Sequence, residues 1–388
     1  MVGSRPVREH PVTGAPGLPG QVTPGQQTAA GQTAARQTAA RQTADQQTGA
    51  PPGAIRVAAI DCGTNSLRLL IADADPRQAT LADLVRRMEI VRLGQGVDAT
   101  GRLAPEALAR TLGVLAEYAK IITDYSASAV RMVATSATRD AANSDDFAGG
   151  VTKILGVPPE VLTGSQEAFL SFTGATAELA RPCTDGPGTD EPGTDGPGTD
   201  GPQLAPPYLV VDIGGGSTEF VLGDDRAADA LAAVSVDIGC VRLTERHLHS
   251  DPPTGAEVAA AAADIDAAIG LALAEVPARR ARTFVGLAGS VTTVAGLALG
   301  LPAYDASRIH HARITAAQVH AVTRMLLGQT RAERGQLPVM HPGRADVIGA
   351  GALVLDRIIT RLGFAEVVAS EHDILDGIAW SLAGRRGR

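Results

Sequence analysis

The chain has 388 residues, of which 44% are hydrophobic and 20% are charged, a composition typical of a globular protein with room for two ordinary domains. Its formal net charge of -8 argues against a general nucleic-acid binder, since such proteins carry a basic excess. No apolar run in the sequence approaches the ~18 residues that cross a bilayer, and the N-terminus lacks the apolar core of a secretory signal. We therefore expect a cytoplasmic protein with neither a membrane nor a nucleic acid as partner.

The three cysteines support the same compartment. Cys62, Cys183 and Cys240 are far apart, odd in number and match no spacing that is typical of a metal site. We expect reduced thiols, as in most cytosolic proteins.

Two low-complexity segments interrupt the globular composition. Residues 1–53 contain a repeated Gln-Thr-Ala-Ala motif from Gln27 onward, and residues 184–202 repeat Thr-Asp-Gly-Pro-Gly. Neither segment has enough bulky apolar residues to form a core, and glycine and proline at this density break helices and strands. We expect a disordered tail at 1–53 and a flexible insert at 184–202, between two folded units.

Strands and helices alternate through the first unit. Apolar runs predict strands at 55–61, 66–73, 130–135 and 160–162. One helix begins at Pro105, because proline is tolerated at the first helical position. Another is predicted over 165–180, where Thr163 and Gln166 have the spacing of a capping box.

The second unit continues the alternation. Apolar runs predict strands at 207–214, 217–223, 283–289 and 366–370. A long Ala-rich helix is expected near 255–275, and a last helix begins near Ile374. This order predicts α/β layers, with helices on the faces of the sheets.

A duplicated glycine turn is the most informative feature of the sequence. Residues 61–66 read Asp-Cys-Gly-Thr-Asn-Ser, and residues 212–219 read Asp-Ile-Gly-Gly-Gly-Ser-Thr-Glu. In each half a strand ends in Asp, turns tightly through glycine and returns as a strand. Successive N–H groups in such turns form a concavity that binds anions, and a nearby carboxylate can hold a cation. A single turn of this kind is commonly an ordinary hairpin, but two in corresponding positions favour a cleft that grips a phosphate chain from both sides.

Other phosphate-binding motifs fit less well. The glycines lead into a strand and not a helix, so neither a P-loop nor a dinucleotide-binding turn matches. A third glycine-rich turn at 286–293 does lead into a helix, and either anion binding or close helix–strand packing accounts for it. Arg344 and Asp346 are interpreted as residues that cap and orient a helix.

At these residues the sequence resembles the exopolyphosphatase/guanosine pentaphosphatase (Ppx/GppA) family. The segments that carry the resemblance are AIDCGTNSLRLL, RLGQGVDATGRL, VATSATRDAANSDDF, LTGSQEAFLSFTGA, VVDIGGGSTEFVLG, DIGCVRLTE, GLAGSVTT and GRADVIGAG. The resemblance implies the actin-like (ASKHA, ribonuclease H-like) two-domain α/β fold with an interdomain cleft. It also implies hydrolysis of terminal phosphoanhydrides with Mg²⁺ or another divalent cation.

The resemblance also implies the domain boundaries. Domain I is expected to comprise 54–180 together with the C-terminal helix, 371–388, and domain II to comprise 203–370.

The same resemblance assigns roles to individual residues. Glu167 is the expected general base, which orients and deprotonates the attacking water. Asp212 and Glu219 are the expected metal ligands, directly or through water. Without the resemblance, Glu167 would be interpreted as an ordinary acidic residue at a helix start. The alternative for the other two is a strand-end Asp and a strand Glu on an exposed face.

The remaining expected site residues bind phosphate. The resemblance assigns this role to Asn65, Ser66, Arg68, Arg139, Gly215, Gly216, Ser217, Thr218 and Arg242. A planar guanidinium suits bidentate contact with phosphate, and phosphoryl transfer depends mainly on positioning and charge stabilisation.

Two features depart from the family's pattern. Phe169 stands where many members have an arginine just after the Glu-Ala pair, which removes one positive charge. The chain also ends soon after its last helix, so we expect it to lack the helical C-terminal module that longer relatives have. Short polyphosphate chains are therefore the expected substrates, rather than very long ones.

The substrate stays open between inorganic polyphosphate and guanosine pentaphosphate, because both end in the same phosphoanhydride. A kinase of the same fold and a non-catalytic sensor of polyphosphate or guanosine tetraphosphate are the rival functions. The sequence permits a homodimer without requiring one.

Overall fold

The computed structural model describes residues 50–177, 179, 204–224 and 232–385. Except for residues 50–53, the tail expected at 1–53 lies outside the described residues, as does the insert expected at 184–202. Cys62 and Cys240 are free and buried, in agreement with the expectation of reduced thiols for these two residues.

The first sheet is built around the predicted hairpin. Its strands are β1 (Ile55–Cys62), β2 (Ser66–Asp75), β3 (Thr80–Ile90), β4 (Ala129–Ala134) and β5 (Glu160–Val161), in the order β3-β2-β1-β4-β5. β1 is central because seven of its eight residues are buried. The sequence did not predict β3, whose exposed and half-buried residues form the edge of the sheet.

The second sheet repeats this arrangement. Its strands are β6 (Tyr208–Ile213), β7 (Thr218–Gly223), β8 (Ala232–Val236), β9 (Thr283–Leu287), β10 (Arg313–Thr315) and β11 (Glu366–Ala369), in the order β10-β11-β9-β6-β7-β8. Strands β8, β7, β6, β9 and β11 have the order and relative directions of β3, β2, β1, β4 and β5. The duplication seen in the glycine turns therefore extends to the whole sheet.

The helices largely agree with the predictions. They are α1 (Val97–Thr100), α2 (Pro105–Asp124), α3 (Ser136–Arg139), α4 (Ser144–Leu155), α5 (Gly164–Thr176), α6 (Cys240–His247), α7 (Gly255–Glu275), α8 (Ala288–Ala298), α9 (Ala306–Ile309), α10 (Ala316–Gly328), α11 (Arg331–Arg334), α12 (Ile348–Leu362) and α13 (Ile374–Arg385). The predicted capping box opens α5, where Thr163 and Gln166 bond reciprocally. Several predicted ends differ from the observed ones: α5, for example, ends at Thr176, and β9 ends at Leu287, because Ala288 and Gly289 already belong to α8.

Two helices each pack on the sheet formed by the other half of the chain. α5 packs on the second sheet, where Ala168 and Phe172 share a hydrophobic core with Val210. α13 follows the second sheet in the chain but packs on the first, where Ile378 joins a core with Ala59 and Leu70. This packing supports the predicted return of the C-terminal helix to domain I, although the domain boundaries themselves stay a prediction.

The two helices contact each other backbone to backbone. A Cβ atom on Gly174 would collide with the carbonyl oxygen of Asp373, and one on Gly377 with that of Leu170. Small residues here let α5 and α13 approach closely enough to bring the two sheets to a shared cleft. In the described ranges, no helix is both long and apolar enough to span a membrane.

This contact predicts that Gly377→Ala destabilises the protein, by about 1–3 kcal/mol in the free energy of unfolding, because a backbone carbonyl cannot move aside as a side chain can. Urea unfolding measures the change. Gly384→Ala in the same helix is the matched control: its Cβ would meet no atom within 4 Å, so stability should be unchanged or higher by about 0.5–1 kcal/mol. Equal effects of the two substitutions would contradict the close-packing account.

Candidate active site

The two glycine turns have the same hydrogen-bonding geometry. The Gly63 N–H donates to the Ser66 carbonyl at 3.0 Å, and the Gly214 N–H donates to the Ser217 carbonyl at 3.0 Å. In the first hairpin Asp61 lies directly opposite Arg68 across the strand pair, and in the second Asp212 lies directly opposite Glu219. In the first hairpin the aspartate therefore faces a positively charged arginine, whereas in the second it faces another carboxylate.

The two turns touch each other. A Cβ atom at Gly215 would lie 2.9 Å from Cβ of Thr64, and one at Gly216 would lie 2.7 Å from Oγ1 of Thr64. Real side chains do not approach this closely, so the contact between the halves requires glycine at both positions. The Thr64 hydroxyl is also bonded to that of Ser136 at 2.9 Å, which ties the first turn to the start of α3.

A cleft opens beside the facing turns. The predicted site residues that line it are Asn65, Ser66, Arg68, Glu167, Asp212, Gly215 and Ser217. They come from β2, from the turns themselves, from the first turn of α5 and from the end of β6. The structure therefore brings most of the predicted site together from three separate segments of the chain.

The other predicted residues lie around this cleft. Gly216 and Arg242 line a small adjoining recess. Arg139 contacts Glu167, and Glu219 lies beneath the cleft on β7, 1% exposed. The Thr218 hydroxyl donates to the Ile238 carbonyl at 2.5 Å, so its side chain holds the backbone of the second half.

Arg242 has carboxylate partners in this structure. Its Nε donates to the Gly216 carbonyl at 2.7 Å, and its terminal nitrogens pair with Asp98 at 2.6 Å and with Asp140 at 2.5 Å. Both aspartates belong to the first half of the chain. Arg242 thus fastens the second glycine turn to the first half, and its contact with phosphate stays a prediction.

Glu167 is buried in the first turn of α5 and lines the cleft. Arg139 donates to one Glu167 carboxylate oxygen at 3.2 Å and to the Leu162 carbonyl at 3.0 Å, which orients the glutamate. Burial, together with the nearby Glu219, raises the pKa of Glu167 well above its ordinary value despite Arg139. A carboxylate in this environment binds a proton more strongly than an exposed one, as a general base requires.

Asp212 and Glu219 form a buried acidic pair. The hydroxyl of Ser171 donates to Asp212 at 2.7 Å, and that of Ser235 donates to Glu219 at 2.7 Å. Burial is the main reason that the pKa of Asp212 rises to about 6 and that of Glu219 to about 8. Neighbouring carboxylates add to both shifts, since like charges resist ionising together.

This pair suits Mg²⁺ as part of a shared site. Carboxylate oxygens are the ligands that Mg²⁺ prefers, and the ion is commonly held by one or two of them together with substrate phosphates and water. Within the described residues, no group of three His, Cys, Asp or Glu side chains is arranged to hold a metal by itself. Asp212 and Glu219 therefore fit the ion only where substrate oxygens and water complete its coordination.

The sequence analysis missed one positively charged side chain at the cleft. Arg344 lines it, and its Nη1 donates to the Gly289 carbonyl at 3.2 Å, where α8 begins. Arg344 was interpreted as a helix-orienting residue, and only its place in the GRADVIGAG segment pointed to the site. Ala288, Gly289 and Ser290 of the third glycine-rich turn line the cleft as well, while Asp346 pairs with Arg92 at 2.7 Å.

The duplicated sheets with helices on their faces have the predicted actin-like fold, and their two glycine hairpins line one cleft. The family model described as the Ppx/GppA phosphatase family matches residues 70–184 and 204–385. The chain therefore belongs to the Ppx/GppA phosphatase family, as the resemblance in the sequence indicated.

Relatives of the chain agree with this assignment. Exopolyphosphatase 2 of Mycobacterium tuberculosis is 50% identical over 340 residues, which are 85% of this chain and 99% of that protein. The crystal structure of an exopolyphosphatase-like protein is similar with a TM-score of 0.76 and 41% identity, covering 86% of this chain and 100% of the other. The Ppx/GppA family member of Aquifex aeolicus has a TM-score of 0.67 and 29% identity, covering 86% and 99%. The predictions of family and fold are confirmed.

The acidic pair predicts how stability depends on pH without divalent cations. Because the pKa of Glu219 is about 8 in the folded protein and ordinarily 4.5, the folded state holds a proton that the unfolded state has released between these values. The stabilisation that protonated Glu219 gives the folded state is therefore lost as pH rises from 4.5 to about 8. Glu219→Gln should melt like the wild type at pH 5 and at a higher temperature at pH 9, by roughly 2–4 °C per kcal/mol of relieved repulsion.

Thermal unfolding at both pH values measures this difference. Glu117→Gln, which neutralises an exposed carboxylate on α2, is the control and should show no such pH-dependent gain. A Glu219→Gln melting temperature that differs from the wild type equally at pH 5 and pH 9 would contradict the crowding of the acidic pair.

Proposed function

We propose that the chain releases the terminal phosphate from inorganic polyphosphate, with short chains preferred, and that guanosine pentaphosphate is the alternative substrate. The observation that carries the proposal is the position of Glu167, which is buried in the cleft that both glycine hairpins line, close to Asp212. The 50% identity with Exopolyphosphatase 2 of Mycobacterium tuberculosis supports polyphosphate as the substrate class. The cytoplasm is the proposed compartment.

In the proposed reaction, water attacks the terminal phosphorus. Glu167, held by Arg139, orients this water and takes its proton. A P–O bond forms to the water oxygen, and the bond from phosphorus to the bridging oxygen breaks. The products are orthophosphate and a chain one phosphate shorter.

The cleft binds and orients the anionic substrate in the same proposal. N–H groups of the two glycine turns, together with the side chains of Asn65, Ser66 and Ser217, hold the phosphate oxygens from both sides. Arg68 and Arg344 supply positive charge where the transferring group carries its negative charge. When bound by Asp212 and Glu219, Mg²⁺ or another divalent cation supplies charge neutralisation for the phosphate oxygens.

Two rival functions differ in what they require. A kinase of the same fold would transfer phosphate to an acceptor molecule, so release of phosphate without any acceptor argues against it. A non-catalytic sensor is favoured by the loss of a carboxylate, yet the chain has Glu167, Asp212 and Glu219 in one region.

The proposal predicts that the purified protein with Mg²⁺ releases phosphate, and that Glu167→Gln lowers kcat by about 10²–10⁴-fold, because the variant cannot accept the proton. A phosphate-release assay compares short polyphosphate, long polyphosphate, guanosine pentaphosphate and ATP. We expect the highest activity on short polyphosphate.

Glu117→Gln is the matched control, because it removes an exposed carboxylate on α2 that does not line the cleft. It should leave kcat unchanged. Wild-type protein that binds these compounds but releases phosphate from none of them would support the sensor. Full activity of Glu167→Gln would instead show that Glu167 is not the general base.

A further inference from the structure

Arg68 is held between two buried carboxylates from distant parts of the chain. Its Nε and Nη2 donate to Oδ2 of Asp61 at 2.9 and 2.7 Å, and its Nη1 donates to Oδ2 of Asp373. Asp61 is the penultimate residue of β1, whereas Asp373 directly precedes α13. A guanidinium has five N–H groups, so these bonds leave one on Nη1 and one on Nη2 for a ligand in the cleft, which Arg68 lines.

Asp373 is itself fixed at the start of α13. Its Oδ1 accepts from the Leu375 N–H at 3.0 Å, and its own N–H donates to Oδ2 of Asp376 at 2.9 Å. The two aspartates therefore cap the helix reciprocally. Burial alone would raise the pKa of Asp373, but Arg68 and Arg86 outweigh it and hold that pKa below its ordinary value, so the carboxylate stays charged.

A second arginine completes this arrangement. Arg86 pairs with Asp376 at 2.5 Å and, nearer the surface, with Asp83 at 2.7 Å. Arg86 lies opposite Leu70 in the β2–β3 pair. Since Leu70 is two residues after Arg68 on β2, Arg86 and Arg68 lie on the same face of the sheet. A row of paired charges therefore leads from Asp83 at the surface to Asp61 in the cleft, and its two central carboxylates, Asp373 and Asp376, lie at the start of α13.

We propose that Asp373 is a positioning residue for catalysis, which holds the guanidinium of Arg68 in the direction that presents its two remaining N–H groups to the phosphate. One carboxylate anchor leaves a guanidinium free to swing about that pair, whereas two anchors on different elements fix its plane. Asp376 and Arg86 in turn fix Asp373. The assignment rests on the proposed phosphohydrolase function, and it extends the site to the C-terminal helix.

Asp373→Asn tests the assignment, because asparagine keeps the helix cap and removes the charge that orients Arg68. We expect kcat for phosphate release to fall about 10–100-fold, as a misplaced charge-stabilising group requires. KM should stay unchanged or fall, because the substitution removes a negative charge near an anionic substrate. A merely structural role would instead lower the melting temperature and leave kcat of the folded protein unchanged. Asp373→Ser, which also keeps the cap, should behave in the same way.

Asp83→Asn is the matched control, since Asp83 lies at the exposed end of the row and contacts neither Arg68 nor Asp373. It should retain wild-type kcat and KM. A crystal structure of Asp373→Asn supplies a readout that does not depend on hydrolysis, and it should show the Arg68 guanidinium displaced from its wild-type position.

The outcomes separate the two proposals. Wild-type protein that releases no phosphate contradicts the proposed function. Even then, the position of Arg68 in the crystal structure of Asp373→Asn shows whether Asp373 orients the guanidinium. Active wild type with Asp373→Asn equal to Asp83→Asn in kcat overturns the positioning role. An unmoved Arg68 guanidinium in the variant overturns it as well.

Discussion

Crowding of negative charge in one buried cleft is the constraint on which the site depends. Asp61, Glu167, Asp212 and Glu219 are all nearly excluded from water, and burial raises the pKa of each. Arg68 and Arg139 offset part of this charge, and two serine hydroxyls offset a little more. The remaining repulsion disfavours the folded state without a cation, so under the proposed function a bound cation would relieve the repulsion that the same cluster creates.

The duplicated fold explains why the two hairpins can act differently on one substrate. Both sheets present an Asp at the end of their central strand and a glycine turn after it, so their turns meet face to face. The residue opposite the Asp differs, however: Arg68 in the first hairpin and Glu219 in the second. In the proposed function the first hairpin therefore binds phosphate through Arg68, and the second holds the accompanying cation through its two carboxylates.

Much of the fold was predictable, because buried strands and capped helices depend on local sequence. The strands around both glycine turns and the start of α5 follow from apolar runs and a capping box. β3 was missed, since an exposed edge strand is stabilised by pairing with β2 and not by its own pattern. In the site, sequence spacing could not show that Arg242 meets Asp98 or that Arg344 packs on Gly289, because these partners are brought together only by folding.

Hydrolysis in ¹⁸O-labelled water tests the central claim most directly, which is that water attacks the terminal phosphorus in a cleft formed by both hairpins. Mass spectrometry of the products from a short polyphosphate then locates the label. The account predicts one ¹⁸O atom in the released orthophosphate and none in the shortened chain. Label in the shortened chain would place the attack on the adjacent phosphorus and contradict the proposed arrangement of Glu167 and the phosphate-binding turns.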